Sequence, residues 1–579
     1  MYHSELVRSA LGKRPFDMVI TNTRLVNVFT GEILEATIGI SSGYVAYVGY
    51  AGEHLDAHHY LDAQGRFAVP GLVDAHMHIE SSMVTPAAFA QGVLPHGTTV
   101  VAADPHEIAN VIGVEGIKMM ISASKNLPLK IYTLVPTCVP SLPGMENAGA
   151  DLGAAEVEEV LALENVIGLA EVMDFWSVVN LEPKMTGILD VARRREGLIE
   201  GHCPVFTGRE LQAYIAAGVD SDHTLMDVKK AQEKLRLGMT VEIQEKSITP
   251  ELMQYIESLP DSSNFLLVTD DVMADKLVYQ GQLDALIRKA IQCGLSPIKA
   301  IQAATIRPAR RLRLYKHGAI GPGKVADILL LDSLEDFSIH TVIADGELVA
   351  EDGRLVKPIE LNRFPAEAYN TVKLEELTAS DFTFKTSKAS GTARIRAIKV
   401  NPVTTETDIQ EVTVPIKDGI IDTQASGLCA IAVFERHGRK GSRSMGFIEG
   451  TGIVRGAMAT TYAHDSHNLS VIGTNPEDMA LAANTLIKCG GGMAAVKDGK
   501  VLSLVELPIA GLLSDKPMDE VAKKLAHFRT TLHDMGVCHK KPIMMLACLT
   551  LPVSPKVKMT DLGMVDVVSK EFLDVIIED

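Results

Sequence analysis

A chain of 579 residues that is 46% hydrophobic and 22% charged has the profile of a soluble globular protein with large cores, and its length suits about three or four domains. A formal net charge of −18 without any long Lys/Arg block excludes a nucleic-acid backbone as partner, because phosphate binding needs concentrated positive charge, and no apolar run nears the ~18 residues of a membrane span. The seven cysteines (138, 203, 293, 429, 489, 538 and 548) are scattered, odd in number and never form CxxC, which predicts reduced, mostly buried thiols in a cytoplasmic protein rather than a disulfide scaffold or zinc ribbon.

The N-terminal MYHSELVRSALGKRPF reads as a short amphipathic helix without the apolar core of a signal peptide, so secretion is not expected. Residues from about 17 to 66 hold short β-branched runs broken by turn signals at Thr30-Gly31 and Ser42-Gly43. The stretch from Gly321 to Ser333 and the following HTVIADGELVAEDG have the same character. One composite β-sandwich built from residues 1–69 and 316–360 explains both flanks, with the middle of the chain inserted into it.

That middle region, residues 70–315, alternates apolar strand-like runs with amphipathic helical stretches, the pattern of βα units on a parallel sheet. Strand ends are expected near His76, Asp104, Cys138, Glu171, His202, His223, Glu245 and Asp270, at spacings of 21 to 34 residues, the size of one βα unit. Eight such units predict an α/β fold of the (β/α)8 barrel type, in which catalytic groups sit at the C-terminal strand ends. After about Pro358 a polar connector leads into a separate α/β or α+β domain, residues 365–579. There KASGTARIRAIKV, GLCAIAVFERHG and GMAAVKDGKVLSL read as strands, and PEDMALAANTLIKC and MDEVAKKLAHFRTTLHDMG as helices. The run Gly490-Gly491-Gly492 reads as a helix stop, because it follows its helix and lacks the Lys-Ser/Thr of a phosphate loop.

The chemistry gathers at the strand ends. In VPGLVDAHMHIE, His76 and His78 stand at alternate positions of a strand and point to one side, so they can share a metal ion. GTTVVAADPHE supplies Asp104, His106 and Glu107, suited to shuttling protons or holding substrate. Glu171 follows an apolar run, and its two oxygens can bridge two cations. His202 and His223 complete a two-metal ligand set, and Asp270 is expected as both ligand and general base, with Asp271 orienting substrate or partnering it. Six His and carboxylate ligands without a thiolate suit Zn²⁺, Fe²⁺ or Mn²⁺. In the last domain TYAHDSHN packs His464, Asp465, His467 and Asn468 into five residues. The sequence alone leaves open whether this loop closes the barrel mouth, holds an extra metal or lies elsewhere.

With PGLVDAHMHIESSM, DPHE at 104–107, GLAEVMD, GHCP, TDD, PGKVADILLLD and HDSHN in one chain, the sequence resembles the amidohydrolase superfamily and, within it, the bacterial adenine deaminase branch, over nearly its whole length. The resemblance implies hydrolysis of adenine to hypoxanthine and ammonia through attack by hydroxide held on a binuclear centre. It implies two divalent ions per chain, Mn²⁺ or Fe²⁺ with Zn²⁺ as a further option, on His76, His78, Glu171, His202, His223 and Asp270. Glu171 takes the place of the carboxylated lysine found in many superfamily members. Glu80 and Ser82 belong to the family's signature and are expected to face the substrate with Glu107, His464, Asp465 and His467. His106, Asp104 or Glu245 is expected to hydrogen-bond the ring nitrogen beside the reacting carbon. A small-molecule purine base is the expected partner, and a dimer or larger homo-oligomer the default assembly.

The chain departs from its family at several positions. Members read His-Glu at the sixth strand, Arg-Glu-Gly-Ser after the seventh, and a basic residue then proline after the paired aspartates. Here the corresponding residues are His223-Thr224, Gln244-Glu245-Lys246-Ser247 and Val272-Met273-Ala274-Asp275, with Gln282 where a histidine is expected. None is an assigned ligand. Their expected place, the barrel-mouth loops that read substrate, keeps an N6-substituted adenine or another aminopurine open. A cyclic-amide hydrolase of the dihydropyrimidinase type and a non-catalytic scaffold are the other readings; the absent bridging lysine weighs against the first and the intact ligand set against the second. The small zinc deaminases are excluded, because they need PCxxC.

Overall fold

The computed structural model describes residues 2–361 and 363–578. Eight parallel strands form its centre: β1 (Leu72–Met77), β2 (Thr98–Ala103), β3 (Lys130–Val135), β4 (Val166–Val172), β5 (Leu198–Gly201), β6 (Ser221–Asp222), β7 (Thr240–Ile243) and β8 (Phe265–Leu267). All eight expected ends fall within three residues of these observed ends. The strands pair in the order β1 to β5 and β6 to β8. Backbone bonds from Asp220 N to Ile199 O and from Asp270 N to His76 O, both 3.1 Å, link the two runs and close the barrel. Every residue of β1 and β2 is buried. That is why these strands read as continuous apolar runs: alternate residues face the helices outside and the interior, where Val73, Ala75, Val100, Ala102, Leu134 and Leu266 pack together.

The two flanks meet in one nine-stranded sheet. Its join is the antiparallel pair Phe67–Pro70 and Ile328–Ser333, with Pro70 opposite Ile328. The Ser42-Gly43 turn has φ of 52° and 79° at its two residues, the left-handed pair that a two-residue hairpin needs. A bridge from Tyr44 to Val325 brings the far edge back, so the layers of the expected sandwich are continuous around Ile20, Ile38, Ile40, Ile328 and Ile343.

The C-terminal region is built on a ten-stranded sheet. Its helix Pro476–Cys489 starts where Asn475 accepts a bond from Asp478 N at 2.8 Å with Pro476 in the first turn. It ends at Gly490, whose φ of 83° is the left-handed stop. Helix Met518–Asp534 buries Met518, Val521, Ala522, Leu525, Phe528 and Leu532, one face at 3.6 periodicity. This face belongs to a core that also contains Met77, Ile79, Phe89 and Val101 of the barrel. Ser514 N donates to Met83 O at 2.9 Å, and Arg529 pairs with Asp275 at 2.6 Å. The C-terminal region is thereby fixed over the β1, β2 and β8 side of the mouth. All seven cysteines are unpaired thiols, and only Cys538 is exposed. Among the described residues no helix is long and apolar enough to cross a membrane.

Candidate active site

Glu171, at the end of β4, divides its two oxygens between two sets of imidazoles. Oε1 lies 3.5 Å from His78 Nε2 and 3.7 Å from His106 Nδ1. Oε2 lies 2.5 Å from His202 Nδ1 and 3.1 Å from His223 Nε2. Asp270 Oδ1 is 3.3 Å from His78 Nε2 and 3.7 Å from His76 Nε2. The spacing argument for the first strand holds, since His76 and His78 both turn into the barrel and present Nε2 to one carboxylate. Asp270 has a φ of 58°, an unusual left-handed conformation for a residue with a side chain, in the segment stitched to β1 through its own N–H.

These groups suit divalent cations. His76, His78 and Asp270 each place a donor atom within 4.8 Å of the others, as do His76, Glu171 and His223, and also His78, Asp104, His106 and Glu171. His76 Nε2 is buried and has no hydrogen-bond partner, the state of an imidazole nitrogen shaped to ligate. Burial opposes charge on Asp270, yet the facing His76 and His78 imidazoles hold its carboxyl well below the usual range. Glu171 is likewise opposed by burial and held well below by His202 and His223. Burial, aided by the neighbouring His76, keeps His223 below its ordinary value.

A second layer of carboxylates adjoins this cluster. Ser81 Oγ lies 2.7 Å from Glu107 Oε1 and 2.5 Å from Asp271 Oδ1. Its one proton can serve only one of them. Burial raises the Glu107 carboxyl. Burial and the Glu107 charge also push Glu80 up to about 8. The loop Tyr462–Asn468 covers these groups. Tyr462 OH donates to Ser81 Oγ at 3.1 Å, and His464 Nε2 lies 3.1 Å from that hydroxyl. Asp465 Oδ1 is 3.4 Å from His464 Nδ1 and 3.8 Å from His106 Nε2, and His106 Nδ1 is 3.1 Å from Asp104 Oδ2. The structure has this loop over the barrel mouth, where His464 also joins His106 and Glu107 in a buried group that could hold an ion.

Three expected residues are directed elsewhere. Ser82 donates its hydroxyl to Ile79 O at 2.5 Å, closing its own 3-10 turn. Glu245 is ion-paired with Lys276, which lowers its carboxyl against the effect of burial. His467 is buried and turned into its own loop, its Nδ1 accepting from Ala463 N at 3.3 Å. Sequence reasoning missed Tyr462 and Glu200. Tyr462 lies beside the conspicuous HDSHN and lacked a separate signal. Glu200 was legible in principle: it stands two residues before His202, the spacing that places side chains on one face of a strand.

The chain matches two family models: the amidohydrolase family over residues 67–349 and the adenine deaminase C-terminal domain over residues 404–571. An adenine deaminase of Moorella thermoacetica is 41% identical over 583 residues, covering 99% of this chain and 98% of that one. Another, from Clostridium botulinum, is 39% identical and covers 98% and 97%. The chain belongs to the adenine deaminase family. Among solved structures it is similar to the L-hydantoinase of Arthrobacter aurescens (TM-score 0.44, 16% identity, 59% of this chain and 98% of that one). A 5-methylcytosine deaminase from Klebsiella pneumoniae has a TM-score of 0.42 at 16% identity, covering 60% and 100%.

Most of the positions that depart from the adenine deaminase pattern follow the strand ends as expected, but with their side chains buried instead of open to substrate. Thr224 is buried and donates to Asp222 Oδ2 at 2.9 Å, and Gln244 is buried and donates to His223 O at 2.9 Å. Gln282, 1% exposed, bonds to Asp74 and Thr98 beneath the mouth. Burial raises Asp74 to about 6 there. Val272 and Met273 join the core shared with the C-terminal region. Lys246 alone among them is exposed at the rim. Most of these substitutions therefore change support layers, because their side chains find partners on strands and helices instead of facing the opening.

Proposed function

We propose that this protein is an adenine deaminase that hydrolyses adenine to hypoxanthine and ammonia, using a pair of divalent ions at the barrel mouth. The observation that carries the pair is Glu171, with one oxygen facing His78 and His106 and the other facing His202 and His223. His76, His78, Glu171, His202, His223 and Asp270 would hold the ions, with Mn²⁺ or Fe²⁺ favoured and Zn²⁺ compatible with the donor set. Bound there, such ions activate water as a nucleophile at neutral pH and stabilise charge at the carbon under attack.

The chain's own residues supply the remaining steps. Asp270 accepts the nucleophile's proton and returns it to the leaving nitrogen, from a position between His76 and His78. His106, steadied through Nδ1 by Asp104, presents Nε2 to the covered space and hydrogen-bonds the purine ring where negative charge develops. Glu80, Glu107, His464 and Asp465 surround that space and read the base. The loop Tyr462–Asn468 excludes water from this side. Reduced thiols support a cytoplasmic location, and a dimer or larger homo-oligomer is part of the same reading.

Ammonia release from a panel of adenine, N6-methyladenine, other aminopurines and cyclic amides, with Mn²⁺- or Fe²⁺-loaded protein, tests the proposal. Adenine is expected to be turned over. Protein that holds its ions yet leaves every 6-aminopurine intact would overturn it, and metal analysis together with light scattering tests the ion pair and the assembly.

A further inference from the structure

The two imidazoles at the end of the first strand, His76 within it and His78 just past it, have different partners behind them. His78 Nδ1 faces a neutral backbone carbonyl, Asp104 O, at 3.1 Å. His76 Nδ1 faces a carboxylate, Glu200 Oε2, at 2.7 Å, and both residues are fully buried. A proton on Nδ1 shared with Glu200 leaves the lone pair on Nε2, the nitrogen that is buried without a hydrogen-bond partner and turned toward Asp270. Glu200 in turn sits in a charged interior layer. Arg311, its side chain 7% exposed, donates to Asp220 Oδ1 at 2.7 Å, and Asp220, Glu242 and Glu200 are the acidic groups that bear on it. Glu242 is fully buried with neither oxygen bonded, and its carboxyl is pushed well up by burial and by Glu200.

We infer that Glu200 is a positioning residue for the metal centre: it fixes the tautomer and ring orientation of His76 and, through its charge, strengthens Nε2 as a ligand. Carboxylates placed behind ligating histidines do this in general, and removing them weakens metal binding roughly 10–100-fold. Glu242, whose oxygens hydrogen-bond to none of these histidines, is the matched control from the same layer. The inference rests on reading His76 as a ligand, so its test separates the two.

The experiment follows Mn²⁺ release from the full-length protein into excess EDTA, with retained Mn²⁺ measured by atomic spectroscopy and the metal-free forms compared by thermal melting. Glu200→Gln keeps the shape and loses the charge; it is expected to release Mn²⁺ roughly 10–100 times faster than the parent, with an unchanged melting curve for the metal-free form. Glu242→Gln is expected to follow the parent's time course. Glu200→Asp keeps the charge but falls one methylene short, and is expected to release faster as well, which provides the reading if Glu200→Gln does not fold. Parent-like release from the Glu200 variants, or equal acceleration by Glu242→Gln, overturns the inference alone. A parent protein that binds no divalent ion removes the ligand reading and the inference with it.

Discussion

The barrel mouth has two unlike halves. Over β1, β2 and β8 it is roofed: Glu80, Glu107, His106, His464 and Asp465 are all nearly or fully buried, and the C-terminal region shares one core with the barrel beneath. Over β4, β5 and β6 it is open: His202 keeps a third of its side chain exposed, and Trp176, Val205 and Leu225 are 46%, 54% and 54% exposed. Glu171 stands at the boundary, with Oε1 toward the roofed half and Oε2 toward the open one. Polar groups that read a base are worth most where water is excluded. The open half, edged by Trp176 and Phe206, whose rings meet edge-to-face at 4.8 Å, is suited to admitting and releasing the base.

Substitution at the boundary is expected to do the most damage. Glu171→Gln should lower kcat/KM by ~10³-fold or more, beyond the 10–100-fold typical of outer-shell changes, and should leave fewer than two ions per chain by metal analysis. On the roofed half, Asp465→Asn should lower kcat/KM about a hundredfold, the scale of one positioned proton-transfer or hydrogen-bonding group, with ion content retained. Parent-like kinetics would show that the roof is only a cover.

The roof also predicts a pH dependence. Glu146 belongs to the β3–β4 connection, whose Asn147 donates to Asp561 at 2.7 Å and accepts from Asn468 at 2.8 Å. Burial pushes Glu146 from its ordinary 4.5 up to about 8. A raised carboxyl stabilises the fold fully below its unfolded value, and this contribution is lost as pH rises from about 4.5 through about 8. At about 1.4 kcal/mol per pKa unit the loss is on the order of a few kcal/mol. Thermal melting from pH 5 to 9 should therefore fall more steeply for the parent than for Glu146→Gln; parallel curves would refute it. The smallest effect is expected on the open side. Trp176→Ala should raise KM less than ~10-fold and leave stability nearly unchanged, as exposed positions do. A loss of ~100-fold or more would mean the two halves are equally closed.

The strand ends were legible because buried parallel strands write mostly apolar runs that stop at polar residues, as LVDAHM and GLAEVMD do. The helices of the C-terminal region were legible from caps and periodicity, with Asn475, Pro476 and Gly490 marking one of them. Side-chain partners are different. Glu200 and His76 are separated by 124 positions, and nothing local in either segment records their contact. Ser81 and Ser82 illustrate the same limit: one turn decides that Ser81 reaches Glu107 while Ser82 bonds Ile79 O. Gln282 read as a mouth residue by its distance from Asp270, yet the helix that starts at Leu283 carries it below, onto Asp74.

The join between Pro70 and Ile328 has a consequence for the order of events during synthesis. The strand ending at Pro70 emerges early, but its partner follows only after the entire barrel has been translated. At about 5–20 residues per second the interval lasts roughly 13–50 s. During that time the N-terminal half of the sheet presents an unpaired edge, a ready template for the wrong strand. The nascent chain is therefore exposed to misassembly until residue 328 leaves the ribosome, and prompt closure of the barrel afterwards delivers the missing strand beside its mate.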